Sequence, residues 1–202
     1  MNDGNPAPIG LSRRSVLRRA VWSGAAVTAG LSLGDVPARA EVTAFPWCDR
    51  CQSLWFNGGG DNGHCPVTHL WDHSHYQHGS VYKLRKSTEP GNGQIGWHWC
   101  RYCKAAFYYG DGEVGRGVCP NNPTPLALHS EGDREIAPGG ASWVSFRMET
   151  DVANNGPGAQ AGWRSCFKCN VMFFADNGLA ATHCPAGGEH DPTRSFHYLM
   201  RD

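Results

Sequence analysis

All nine cysteines of this chain fall on one grid repeated three times. A C-x-x-C pair opens each copy, and a single cysteine followed by proline closes it. The sets are Cys48, Cys51 and Cys65; Cys100, Cys103 and Cys119; Cys166, Cys169 and Cys184. Self-similarity of this kind decides an architecture before any element is assigned, because each copy is one supersecondary unit that must find its neighbours. The copies run over residues 45–84, 94–148 and 160–200. Each keeps the same order: C-x-x-C, aromatic pair, turn, C-P, histidine, short strand. KSTEPGNG (86–93) and ETDVANNGPG (149–158) lie between them and are rich in turn residues.

Within a copy, the residues after C-x-x-C are few and aromatic: Leu54-Trp55-Phe56, Phe107-Tyr108-Tyr109 and Met172-Phe173-Phe174. Short aromatic runs suit strands better than helices. Asp61-Asn62-Gly63, Asp111-Gly112 and Asp176-Asn177-Gly178 follow as turns, where aspartate and glycine serve the backbone rather than calcium. The expected fold is mainly β, with three tandem zinc-ribbon-like β-hairpin repeats, each a twisted hairpin plus a third short strand. Such units can pack with pseudo-threefold symmetry into a trefoil-like or prism-like body, or stand as beads on linkers. The 26 glycines and 13 prolines, with no long apolar runs, argue against a large conventional core. Units with thin cores are usually held by metals or disulfides.

Three thiols per copy is an odd number, so disulfides cannot satisfy each copy internally, whereas Cys3His is a common closed tetrahedral zinc site. The C-x-x-C turn lets two thiolates face one ion, and 13 to 15 residues separate it from the third cysteine, enough for a hairpin. His190 completes the third copy, where CPAGGEH has two glycines to fold the chain back. In the second copy His129 is the one histidine after Cys119. In the first, His69, His73, His75 and His78 all follow Cys65. The expected donor there is His73, preceded by Asp72 much as His190 is followed by Asp191. His64 and His183 directly precede the third cysteine, but Val118 holds that place in the second copy, so they are read as non-donors.

The beginning of the chain reads Ser12-Arg13-Arg14-Ser15-Val16-Leu17-Arg18, which resembles the twin-arginine export motif. Behind it come a mildly apolar stretch from Ala20 to Leu33 and an A-x-A cleavage site, Ala38-Arg39-Ala40, before Glu41. The apolar run is shorter than the roughly 20 residues of a bilayer span. Residues 1–40 are therefore expected to be a removable signal, which implies a periplasmic, cell-envelope or secreted protein. What remains has 13 basic against 16 acidic residues and no apolar span. That balance argues against nucleic acid as a partner, and no membrane association is expected after cleavage. An oxidising compartment keeps disulfide pairing open as an alternative to metal. Export in a folded state favours metal, because zinc bound in the cytoplasm would protect the thiolates in transit.

The cysteine pattern resembles the tandem W-x-x-C-x-x-C…C-P-x-G-G-x-H repeats of exported bacterial proteins. The resemblance covers essentially the whole chain after residue 40. Copy three fits it best; copy one has VTHLWDH and copy two NNPTPLALH where the pattern has AGGEH. It implies zinc-ribbon-like units and no enzyme mechanism.

A zinc ion with four protein donors has no open position and contributes folding free energy rather than chemistry. The chain has no G-x-S-x-G elbow and no glycine-rich phosphate loop. His69-Leu70-Trp71-Asp72-His73 lacks the glutamate that H-E-x-x-H requires. No catalytic residue is assigned. The expected function is a non-enzymatic binding module for an extracellular glycan or protein, motivated by its aromatic load: Trp47, Trp55, Trp71, Trp97, Trp99, Trp143, Trp163, Tyr108 and Tyr109. Trp97 and Trp163, at matching places, are assigned to the core. One alternative is metal buffering or delivery by His64, His69, His73, His75 and His78. Another is a metal-dependent enzyme with an open site in the second repeat.

Overall fold

Antiparallel strands dominate the computed structural model, which describes residues 41–58, 60–110, 115–124, 126–132, 145–150 and 156–202. The signal expected at residues 1–40 lies outside the described residues, as does Trp143. The strands are β1 (Glu41–Cys48), β2 (Gln77–Lys86), β3 (Gln94–Trp99), β4 (Ala106–Tyr108), β5 (Phe146–Thr150), β6 (Ala159–Ser165), β7 (Met172–Phe174) and β8 (Tyr198–Arg201). Among the described residues the only helical element is a 3-10 turn at Leu179–Ala181, and no helix is long and apolar enough to cross a membrane.

The strand pairing has pseudo-threefold symmetry. Each copy pairs its first strand with its last: β1 with β2, β3 with β5, and β6 with β8. The last strands then pair with one another, β2 with β5, β5 with β8 and β8 with β2, closing a three-sided ring. The register is cyclic: Arg85 lies opposite Arg147, Glu149 opposite Leu199, and Arg201 opposite Lys83. The segments after C-x-x-C close a second ring through the bridges Trp55 to Ala105, Phe107 to Val171 and Phe173 to Ser53. Backbone hydrogen bonds repeat the cycle, from Phe56 N–H to Lys104 O (2.9 Å), Tyr108 N–H to Asn170 O (2.8 Å) and Phe174 N–H to Gln52 O (2.8 Å).

This closure pools the apolar surface of three small units into one core. Phe45, Trp97 and Trp163 occupy the place three residues before each first cysteine, and all are fully buried. They pack with Tyr82, Phe146 and Tyr198 and with Leu84, Met148 and Met200 from the ring strands. Of the two arrangements expected, the packed pseudo-threefold body is the one found, and its core is larger than thin repeat cores suggest: strand alternation puts every other ring residue on one shared interior face. Emptying any one of the tryptophan positions costs about 3–5 kcal/mol. Even the polar atoms follow the symmetry. The Tyr82 hydroxyl donates to Gln160 Oε1 and the Tyr198 hydroxyl to Gln94 Oε1. At the third position the ring residue is Phe146, with no hydroxyl, and the place of the glutamine belongs to Val42.

Candidate metal centres

Each C-x-x-C sits in a tight knuckle. The backbone N–H after the second cysteine returns to the first cysteine's carbonyl at 2.8 Å in all three copies, from Gln52, Lys104 and Asn170. These three residues share a left-handed backbone, with φ of 64°, 64° and 59°. That turn aims both sulfurs to one side, and the hairpin brings the third cysteine and a histidine to meet them. Three buried donor sets result: Cys48, Cys51, Cys65 and His75; Cys100, Cys103, Cys119 and His129; Cys166, Cys169, Cys184 and His190. In each, one ligand atom from every residue lies within 4.8 Å of the others.

The separations test whether a metal fits. First and third sulfurs stand 3.9, 3.7 and 3.8 Å apart, and the second sulfur stands 3.5, 3.4 and 3.5 Å from the histidine Nδ1. A tetrahedral ion with sulfur at about 2.3 Å and nitrogen at about 2.0 Å has S···S edges of about 3.8 Å and S···N edges of about 3.5 Å. The sulfurs are too far apart for disulfides, whose bond length is about 2 Å. The three groups therefore fit a metal ion held by three thiolates and one imidazole.

Electrostatics agree with that fit. Hydrogen bonds from Cys51 and Cys65 hold Cys48 far below the ordinary thiol range. Burial pushes Cys51 well up, and Cys65, through its hydrogen bond to Cys48, is pushed up to about 12. At Cys100 burial opposes ionisation, but hydrogen bonds from Cys103 and Cys119 outweigh it and carry the thiol far down. Cys166 is lowered by Cys169 and Cys184. Burial raises Cys103 and Cys169, and Cys119 is pushed up to about 12 by its bond to Cys100. One sulfur per triplet ionises readily, and a central cation is what lets all three do so. Backbone N–H groups of Tyr76 and Val67 (3.4 Å each) and of Asp191 (3.3 Å) also point at the sulfurs of Cys48, Cys65 and Cys166.

The histidine rings are held by stacking. His75 lies on Trp55, His129 on Phe107 and His190 on Phe173, with centroids 5.3, 4.9 and 4.6 Å apart and planes within 16°, 23° and 19°. They differ at the far nitrogen. His75 Nε2 is 3.0 Å from the Cys103 carbonyl of the second copy, whereas His129 Nε2 and His190 Nε2 are buried without a partner.

Eleven of the twelve donors expected from the sequence lie in these sets, and one expectation is corrected. His73 does not reach the first centre. Its ring is exposed, stacks on His64 at 4.8 Å, and its Nδ1 meets Thr68 Oγ1 at 3.0 Å. His75 is the donor because the chain reverses at residues 69–72, and on the returning segment His75 is buried beside the knuckle while His73 is exposed. A sequence signal could have found it: His75 follows Cys65 by the same ten residues that separate His129 from Cys119. His64 and His183 stand outside the sets. The chain matches no protein-family model, no curated protein and no solved structure.

Proposed function

We propose that this chain is an exported, zinc-braced binding protein that offers an apolar turn in its first repeat to a glycan or protein outside the cytoplasm. The observation that carries this reading is Trp71, 94 % exposed beside Leu70, 82 % exposed, at the tip of a two-residue turn. The turn is closed by the reciprocal hydrogen bonds His69 N–H to Asp72 O (3.0 Å) and Asp72 N–H to His69 O (2.9 Å). Both tip residues have positive φ, 48° and 76°. A left-handed backbone costs about 1–2 kcal/mol per non-glycine residue, and Asn-Gly would adopt it freely. Local strain that displays a large ring to solvent points to recognition rather than packing.

The tip is also held rigidly. Asp72 accepts hydrogen bonds from Arg50 Nη1 (2.9 Å) and from the Ser74 backbone N–H (2.8 Å). The whole turn hangs between two donors of the first centre, Cys65 and His75. Thiolate-rich tetrahedral donor sets favour zinc, and four protein donors per ion leave it structural. His129 supplies the fourth donor of the second set, so that repeat has no distinct open position. His75 belongs to the first donor set, so His73, hydrogen-bonded to Thr68, lacks the companion that a metal-handling role called for, which favours the binding reading. Of the other tryptophans, Trp55, Trp97, Trp99 and Trp163 are buried and serve the core. The likeness to exported tandem-repeat proteins and the twin-arginine segment support export.

The test is a pull-down of native protein on cell-envelope fractions and a glycan array, with Trp71→Ala beside the wild type. Binding by the wild type, lost in the variant with three zinc equivalents retained, is expected. Equal behaviour of the two proteins would refute the role of the tip.

A further inference from the structure

The ring of β2, β5 and β8 has an inner face in the core and an outer face around the pseudo-threefold axis. A cavity of about 110 Å³ opens on that outer face, lined from all three strands. Its charged groups are Lys83, Arg85, Arg147, Glu149, Arg201 and Asp202, four cations against two carboxylates. Arg85, Glu149 and Arg201 occupy the same symmetry-related place, and Glu149 is shared: Oε1 lies 3.3 Å from Arg85 Nη2, and Oε2 lies 2.9 Å from Arg201 Nε.

One carboxylate divided between two guanidiniums leaves donors to spare, since each guanidinium has five N–H groups. Arg147 Nη1 and Nη2 donate to the carbonyls of Gly93, Ser87 and Glu89 (3.4, 3.2 and 3.1 Å). Its Nε is buried with no acceptor. Lys83 is exposed and has no ion-pair partner among the described residues.

We infer that this axial cavity binds inorganic phosphate. The strand register supplies the geometry. Two of the three sectors are cationic, one with Arg85 opposite Arg147 and one with Lys83 opposite Arg201; the third holds Glu149. A tetrahedral oxyanion viewed down one bond presents three oxygens, one per sector. Two meet guanidinium and ammonium donors. The third must face a carboxylate, and only an oxygen that carries a proton can do so favourably. Monohydrogen and dihydrogen phosphate have such a P–OH; sulfate at neutral pH has none. The inference goes beyond the binding-module reading and does not depend on it.

Calorimetric titration of the metal-loaded full chain at low ionic strength tests the assignment. Saturable phosphate binding is expected below about 10 mM, about tenfold or more tighter than sulfate. Lys83→Gln, at an exposed position, should weaken phosphate about tenfold without loss of metal. Glu149→Gln should abolish the preference for phosphate by admitting sulfate. Methyl phosphate at pH 8, a dianion without P–OH, separates the free ion from an esterified one and should bind about tenfold more weakly than inorganic phosphate. Absence of a saturable phosphate signal, equal affinity for sulfate in the wild type, full affinity in Lys83→Gln, or methyl phosphate binding as tightly as phosphate would each overturn it.

Discussion

In the third centre the chain covers the distance from third cysteine to histidine in six residues; in the first it uses ten. The short version is a glycine turn, with Gly187 and Gly188 at φ of 100° and 66° and Cys184 N–H bound to Gly188 O at 2.8 Å. The long version adds the strained Leu70-Trp71 turn, closed by the bridge between His69 and Asp72, before the chain returns at His75. Yet the sulfur and nitrogen separations agree within 0.1 Å, 3.9 and 3.5 Å against 3.8 and 3.5 Å. A metal fixes both ends of the segment, so the length and chemistry between them are free to serve another purpose. The first centre is also clamped to its neighbour through His75 Nε2 and the Cys103 carbonyl, a bond the third centre lacks.

The largest effect that could break this equivalence is removal of metal. If all three centres brace the fold, a strong chelator should abolish the near-ultraviolet dichroism and the dispersed amide spectrum together, since a structural zinc site contributes about 10 kcal/mol or more. Retention of a native spectrum after chelation would show that the pooled core suffices alone. Next in size is the pair His75→Ala and His73→Ala. The first should lower the metal content from three equivalents to two in native mass spectrometry and destabilise the protein by about 4 kcal/mol or more. The second should keep three and melt within a few degrees of the wild type; the reverse outcome would restore His73 as the donor.

A smaller effect separates the segments just before the third cysteines. Gly117 has φ of 66°, and a Cβ there would overlap the Cys169 carbonyl of the next repeat; Gly63 meets Cys103 in the same way. Gly117→Ala should cost about 1–3 kcal/mol in denaturant unfolding. Thr182 holds the corresponding place in the third copy with φ of −92°, and its hydroxyl oxygen accepts the His190 N–H at 2.8 Å. Thr182→Gly should therefore lose about 1 kcal/mol through that bond instead. Smallest is the double change Leu70→Asn with Trp71→Gly. It should raise stability by about 1 kcal/mol by relieving the turn while ligand capture disappears. A fall in stability would show that the tip packs against something essential.

The donor sets were largely legible because their logic is local. C-x-x-C spacing, an odd thiol count and one following histidine specify a tetrahedral site whatever surrounds it. His75 escaped because four histidines follow Cys65, and choosing among them required knowing where the hairpin reverses. The aromatic residues misled for a related reason: counted per repeat they exceed a thin core, but the ring of last strands gathers Trp97, Trp99 and Trp163 into one interior.

Three β repeats, each gathering three sulfurs about a histidine, follow from the order of residues alone, since knuckles, turns and short strands depend on neighbours in the chain. Closure of the two strand rings, the shared core and the charged axial cavity depend on residues from different repeats, such as Arg85, Glu149 and Arg201. Only tertiary packing brings those together, because no spacing rule links positions more than fifty residues apart.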